Sequence, residues 1–88
     1  ELRSFHTTLD GTTTDIKLLN NRHIAATAAN DMKIAILNWH NGSLVRYFSG
    51  GHTSPIFSLG LASNGTLVSG GTNGLIVLWD LYTGELTR

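Results

Sequence analysis

Val77–Leu86 reads VLWDLYTGEL, and Ala35–Leu44 reads AILNWHNGSL. Each is an apolar run carrying a Trp and closed by a turn at Gly, so the two stretches read as copies of one unit. Aligning Trp39 with Trp79 sets the Asn41-Gly42 turn against Leu81-Tyr82 and breaks the pattern. Aligning Gly42 with Gly84 keeps turns on turns. On that spacing Leu44 meets Leu86, Leu19 meets Leu61, Ile34 meets Ile76, Ile36 meets Leu78 and Asn38 meets Asp80. Thr27 then falls on Ser69, Asp31 on Asn73 and Leu37 on Trp79. Trp39 is therefore not the partner of Trp79 and takes the place of Leu81.

Working outward, short apolar or alternating runs are separated by turn residues throughout. DIKLL, KIAIL, SLVRYF, PIFSLGL, TLVSG and LIVLW read as strands, and Asn41-Gly42, Asn64-Gly65 and Asn73-Gly74 as turns. HIAATAANDMKIAIL is rich enough in Ala for a helix. The Asn30-Asp31 pair in its middle and the alternation of Ile34 with Ile36 favour two strands with a turn between them. The small residues Ala25–Ala29 suit a strand crowded on both faces. LIVLW has no polar face and is expected to be covered on both sides.

The 88 residues allow one domain with a modest core. Six Lys and Arg balance six Asp and Glu, leaving no field to gather nucleic acid or an anionic membrane. The absence of Cys removes disulfides, thiolate metal sites and Cys nucleophiles. The four His have no spacing that fits a metal-ligand pair. Ten Gly, one Pro and many Ser, Thr and Asn point to an all-β chain with tight turns.

GGHTSPIFSLGLASNGTLVSGGTNGLIVLWDLYTGEL resembles one repeat of the WD-repeat β-propeller family. The matching parts are Gly51-His52, the LVSGG run Leu67–Gly71, and Leu78-Trp79-Asp80, in the family's order and spacing. Residues 1–42 form a looser first copy, with Phe5-His6, ATAAND and KIAILN in the corresponding places. Residues 43–84 form the second, and 85–88 begin the next. The resemblance implies four-stranded antiparallel blades in which each sequence repeat starts with the outer strand of the preceding blade. Residues 1–5 are then an outer strand. Strands within 13–37 and 43–48 make one blade, and strands within 55–61, 66–71, 75–79 and 85–88 a second, two blades of a larger ring.

The same resemblance implies a buried hydrogen-bonded chain linking a loop His, a strand Ser or Thr, a turn Asp and the Trp. Carried over by position, it comprises His52, Ser69, Asn73 and Trp79 with Asp80 beside it in the second copy. In the first copy it comprises His6, Thr27 and Asp31. Asn73 stands where the family has Asp, and Leu37 where it has Trp. The function implied is a non-catalytic platform for proteins or peptides, intracellular, without cofactor. Its contact surface is expected at Thr14, Asp31, Met32, Ser54, Thr72 and Asn73. Two blades leave apolar faces open, so further partners are the remaining blades of a longer propeller or copies of the chain itself. A hydrolase using His52 and Ser69 is the enzymatic alternative. A self-assembling secreted or lectin-like unit, with glycan on Asn41 or Asn64, is the other.

Overall fold

The computed structural model describes residues 4, 9–62 and 65–84. Seven strands run in order: β1 (Thr13–Leu18), β2 (His23–Ala28), β3 (Ile34–Asn38), β4 (Leu44–Phe48), β5 (Ile56–Ala62), β6 (Thr66–Gly71) and β7 (Ile76–Asp80). They form two antiparallel meanders, β1-β2-β3-β4 and β5-β6-β7. The chain is thus all-β, and the Ala-rich run is two strands joined at Asn30-Asp31 as the alternation indicated. Of the strands expected at the two ends, residues 1–3, 5 and 85–88 lie outside the described residues, as do His6 and Asn64.

The two sheets are copies in detail. Asp15 pairs with Thr27 across a bulge, and Ser58 pairs with Gly70 across another at the same place. Gly42 and Gly84 both take positive φ, 76° and 78°, where a side chain would be strained. Their amides donate to Asn38 O and Asp80 O, each at 2.7 Å. The amides of Trp39 and Leu81 both donate across to the preceding hairpin, at Arg22 O and Gly65 O. Trp39 therefore occupies the place of Leu81.

The pairing corrects the single spacing used to align the copies. Ile24 faces Leu37 and Leu67 faces Trp79, so the shift is forty-three residues in β1 and β2 (24 to 67) but forty-two in β3 (37 to 79). The extra residue of the first copy lies in its β2–β3 connection, residues 29–33 against 72–75. Because strand side chains alternate, a slip of one moves a residue to the other face. Thr27 is consequently not the counterpart of Ser69. Ala26 is, and Thr27 matches Gly70.

One face of the first sheet packs on one face of the second. Ala25, Ile34, Ile36 and Phe48 meet Ile56, Leu59, Leu67, Val77 and Trp79. The rings of Phe48 and Trp79 stack with centroids 5.6 Å apart. Side chains at the top of β1 tie the sheets together. Asp15 Oδ2 accepts the Leu59 amide at 2.7 Å, and Thr14 Oγ1 donates to Ile56 O at 3.2 Å. The Ile56 amide in turn donates to Asp31 O. The opposite face of the first sheet buries Leu9, Ala26, Ala28, Ala35 and Leu37. The opposite face of the second sheet is not covered by described residues. Val77 and Trp79 of the LIVLW run are buried, but Ile76 is 63% exposed, so only one side of that strand has its neighbour in place.

Candidate functional site

β6 directs Ser69 and β7 directs Trp79 to the face that meets the first sheet, and the loop before β5 brings His52 over them. The indole Nε1–H of Trp79 donates to Ser69 Oγ at 2.8 Å, and His52 Nε2 lies 2.6 Å from the same oxygen. Ser69 and Trp79 have no exposed surface and His52 is 7% exposed. Burial holds the imidazole pKa below its ordinary value of 6.5, so the ring is neutral near pH 7. One hydroxyl thus joins the pre-strand loop to the two inner strands.

The chain stops at His52. Its Nδ1 is buried without a hydrogen-bond partner among the described residues. Asn73, expected as the next link, turns elsewhere: Oδ1 accepts the Leu75 amide at 3.2 Å and Nδ2 donates to Thr53 Oγ1 at 3.2 Å. A neutral amide lacks the charge that would draw an imidazole N–H toward it. Asp80 also stands apart from the chain. Its Oδ1 accepts the amides of Tyr82 and Thr83, which caps the turn after β7. Gly71 leaves room for the loop, since a Cβ there would lie 2.9 Å from His52 Nδ1.

Among the described residues the first sheet carries no polar copy of this chain. Leu9 stands forty-three residues before His52, Ala26 the same distance before Ser69, and Leu37 forty-two before Trp79. These three pack together with Ala28 and Ala35. An apolar cluster has replaced the hydrogen-bonded one, an exchange that leaves no donor unpaired. Thr27 faces the other way, toward the second sheet, with its hydroxyl 2.8 Å from Thr14 Oγ1. Thr14 has a single O–H, already given to Ile56 O, so Thr27 is the donor. Asp31 does not reach Thr27. Its Oδ2 accepts the Asp10 amide at 3.1 Å and its Oδ1 that of Met32. Leu9 and Asp15 had no motif to announce them. The signals were positional: Leu9 lies one true repeat before His52, and Asp15 is the acid that follows the β1 bulge.

Five of the six expected contact residues lie on the loops at one end of the sheets, and Thr14 lies at the start of β1 beside them. Met32, Thr72 and Asn73 are exposed there. Thr14 is exposed too, but its hydroxyl is spent on Thr27 and Ile56. Ser54 is half-buried with its hydroxyl oxygen enclosed, which removes it from the accessible set.

As a hydrolytic pair, Ser69 and His52 lack two requirements. A triad needs a nucleophile open to substrate and an acid on the second imidazole nitrogen. Here the hydroxyl is wholly enclosed, and Nδ1 has no partner among the described residues. Among the described residues no three His, Cys, Asp or Glu side chains gather to hold a metal.

No family model matches the sequence, and no curated protein does. Among solved structures, the WD40 β-propeller domain of Doa1 superposes with a TM-score of 0.83 at 23% identity, covering 92% of this chain and 27% of that one. The chain spans about a quarter of that protein's length, and the likeness carries the fold: two antiparallel sheets built as neighbouring parts of a WD40 propeller.

Proposed function

We propose that the chain supplies two adjacent blades of a WD-type propeller whose work is non-catalytic, a rigid platform for protein or peptide partners. The observation that carries this reading is the enclosure of Ser69. Its hydroxyl is used to hold Trp79 and His52, so the groups that imitate a hydrolase serve the fold. The loops at the Met32 end suit a platform because they are fixed by bonds to one another. Asp31 holds the Asp10 amide, Asn73 holds Thr53, and the Thr72 amide donates to Pro55 O. Side chains held on rigid loops lose little freedom on binding. Met32 and Thr72 are the contact residues in this reading, and cytoplasm or nucleus is its compartment.

The test is affinity purification of the protein carrying this chain, followed by calorimetric titration of the recovered partner against Met32→Ala and Thr72→Ala. At least one substitution is expected to weaken binding about tenfold. Unchanged affinity for both would remove the loop end as the contact surface. Labelling of Ser69 by a serine-reactive fluorophosphonate would overturn the non-catalytic reading itself.

A further inference from the structure

The end of the sheets opposite Met32 holds a cleft that the loop platform does not use. It lies between the two sheets, where β4 and the β1–β2 hairpin face the β5–β6 hairpin, and encloses about 620 Å³. That is the size of a pocket that accepts two or three side chains, within the usual range of about 300–1,000 Å³. Asn20, His23, Arg46 and Tyr82 make the polar part of its walls, and Leu19, Ile36, Val45, Phe48, Leu61 and Leu81 the apolar part. A wall of this kind that stays open between packed sheets is a place for apolar groups from elsewhere.

Charge decides what those groups carry. Among the described lining residues Arg46 is the one fully charged side chain, and none is Asp or Glu. Arg46 is exposed, and its guanidinium sits 6.0 Å from the Phe48 ring centroid, so a flat donor fork lies beside the apolar wall. Among the described residues no carboxylate pairs with it. A guanidinium beside an apolar wall selects a carboxylate placed next to an apolar side chain. A cationic segment would meet repulsion from the same group.

The geometry points to a second peptide-docking site in this inter-sheet cleft, with an acidic-hydrophobic segment of a partner protein as its occupant. Leu or Phe side chains fill the space between Ile36, Phe48 and Leu61, and an adjacent Asp or Glu meets Arg46. The site is separate from the Met32 loops and stands or falls independently of them.

The probe is a blocked hexapeptide alternating Leu or Phe with Asp, and its counterpart with Lys for Asp. Each is titrated into the isotopically labelled full chain and followed by the amide signals of Leu61, Gly65 and Tyr82. The Asp peptide is expected to bind about tenfold tighter than the Lys peptide and to weaken with salt. Arg46→Ala is expected to remove the difference, and Arg46→Glu to reverse it. Lys33→Ala removes an equal charge on the other face of the sheet, where the ammonium covers Tyr47 at 4.1 Å, and is expected to leave the preference intact. Dispersed spectra establish that each variant is folded. Equal affinity for the two peptides, a Lys33→Ala effect matching that of Arg46→Ala, or shifts confined to Met32 and Thr72 would overturn the proposal. Concentration-dependent shifts at the cleft without peptide would also overturn it, by assigning the cleft to a second copy.

Discussion

At the scale of single residues, Ser69 is the point on which the second sheet's interior turns. It accepts the only hydrogen bond shown for the Trp79 indole and holds His52 as well. Ser69→Ala leaves an enclosed N–H without an acceptor, which costs about 1 to 3 kcal/mol. Urea unfolding of the two proteins is expected to show that loss; equal midpoints would mean the hydroxyl is incidental. His52 adds a pH dependence of definite sign. Its folded pKa lies below the unfolded value of 6.5 because burial disfavours the imidazolium. Above pH 6.5 both states are neutral and the group has no effect. As pH falls below that value the unfolded chain takes up a proton that the folded chain refuses, and stability declines until the folded pKa is passed. Replacing His52 by Asn is expected to flatten this part of the stability profile, and an unchanged slope would place the titration elsewhere. These residues show where the sequence was legible and where it was not. His52, Ser69 and Trp79 were named from the resemblance to a WD-type repeat that their order and spacing carry. In the first copy Leu37 was matched correctly to Trp79, but Thr27 was misassigned to Ser69 because one residue in the 29–33 connection shifts the face of every β2 side chain.

At the scale of elements, the strands followed from alternation and the turns from Asn-Gly and Thr-Gly pairs. The ties between sheets did not. Asp15 reaches from β1 to the backbone of β5 at Leu59, and the pairing spans forty-four residues with no local signal. Charged acceptors hold backbone amides more strongly than neutral ones. Asp15→Ala is expected to cost about 1.5 to 3 kcal/mol, read by unfolding, and to speed hydrogen exchange at the Leu59 amide first. Loss of stability without faster exchange there would deny that the carboxylate acts through this bond. The same element scale explains the two copies' different interiors. β2 of the first sheet presents Ala26 and Ala28 where β6 presents Ser69 and Gly71, so Leu9 and Leu37 close over small side chains with no polar group to satisfy.

At the scale of the whole molecule, the described sheets bury one another on one side and leave apolar side chains on the others. Ile76 is 63% exposed on the second sheet, and Ile16 and Leu18 are 56% and 60% exposed on the first. Ile76 is the counterpart of Ile34, which is fully buried against the second sheet, so the open face repeats a face already used for sheet packing. A further blade, from the same polypeptide or from a second copy, completes such a surface. Light scattering on a sizing column is expected to give a mass above that of one chain, and Ile76→Lys to lower it. A monomeric 88-residue chain with β circular dichroism would show that the exposed face needs no neighbour.

The sequence by itself determined the strands and turns, and its resemblance to a WD-type repeat implied their antiparallel order within each copy and the buried His, Ser and Trp. Period-two alternation, Gly-closed turns and a repeated motif are local, and local patterns survive in a linear string. The tertiary structure alone decided which face each side chain takes in the first copy, where Asn73 and Asp31 spend their hydrogen bonds, and that Thr14 and Asp15 join the sheets. It alone formed the cleft beside Arg46. Each of these depends on register or on the approach of two sheets, and a one-residue slip far along the chain reverses the first and moves the second.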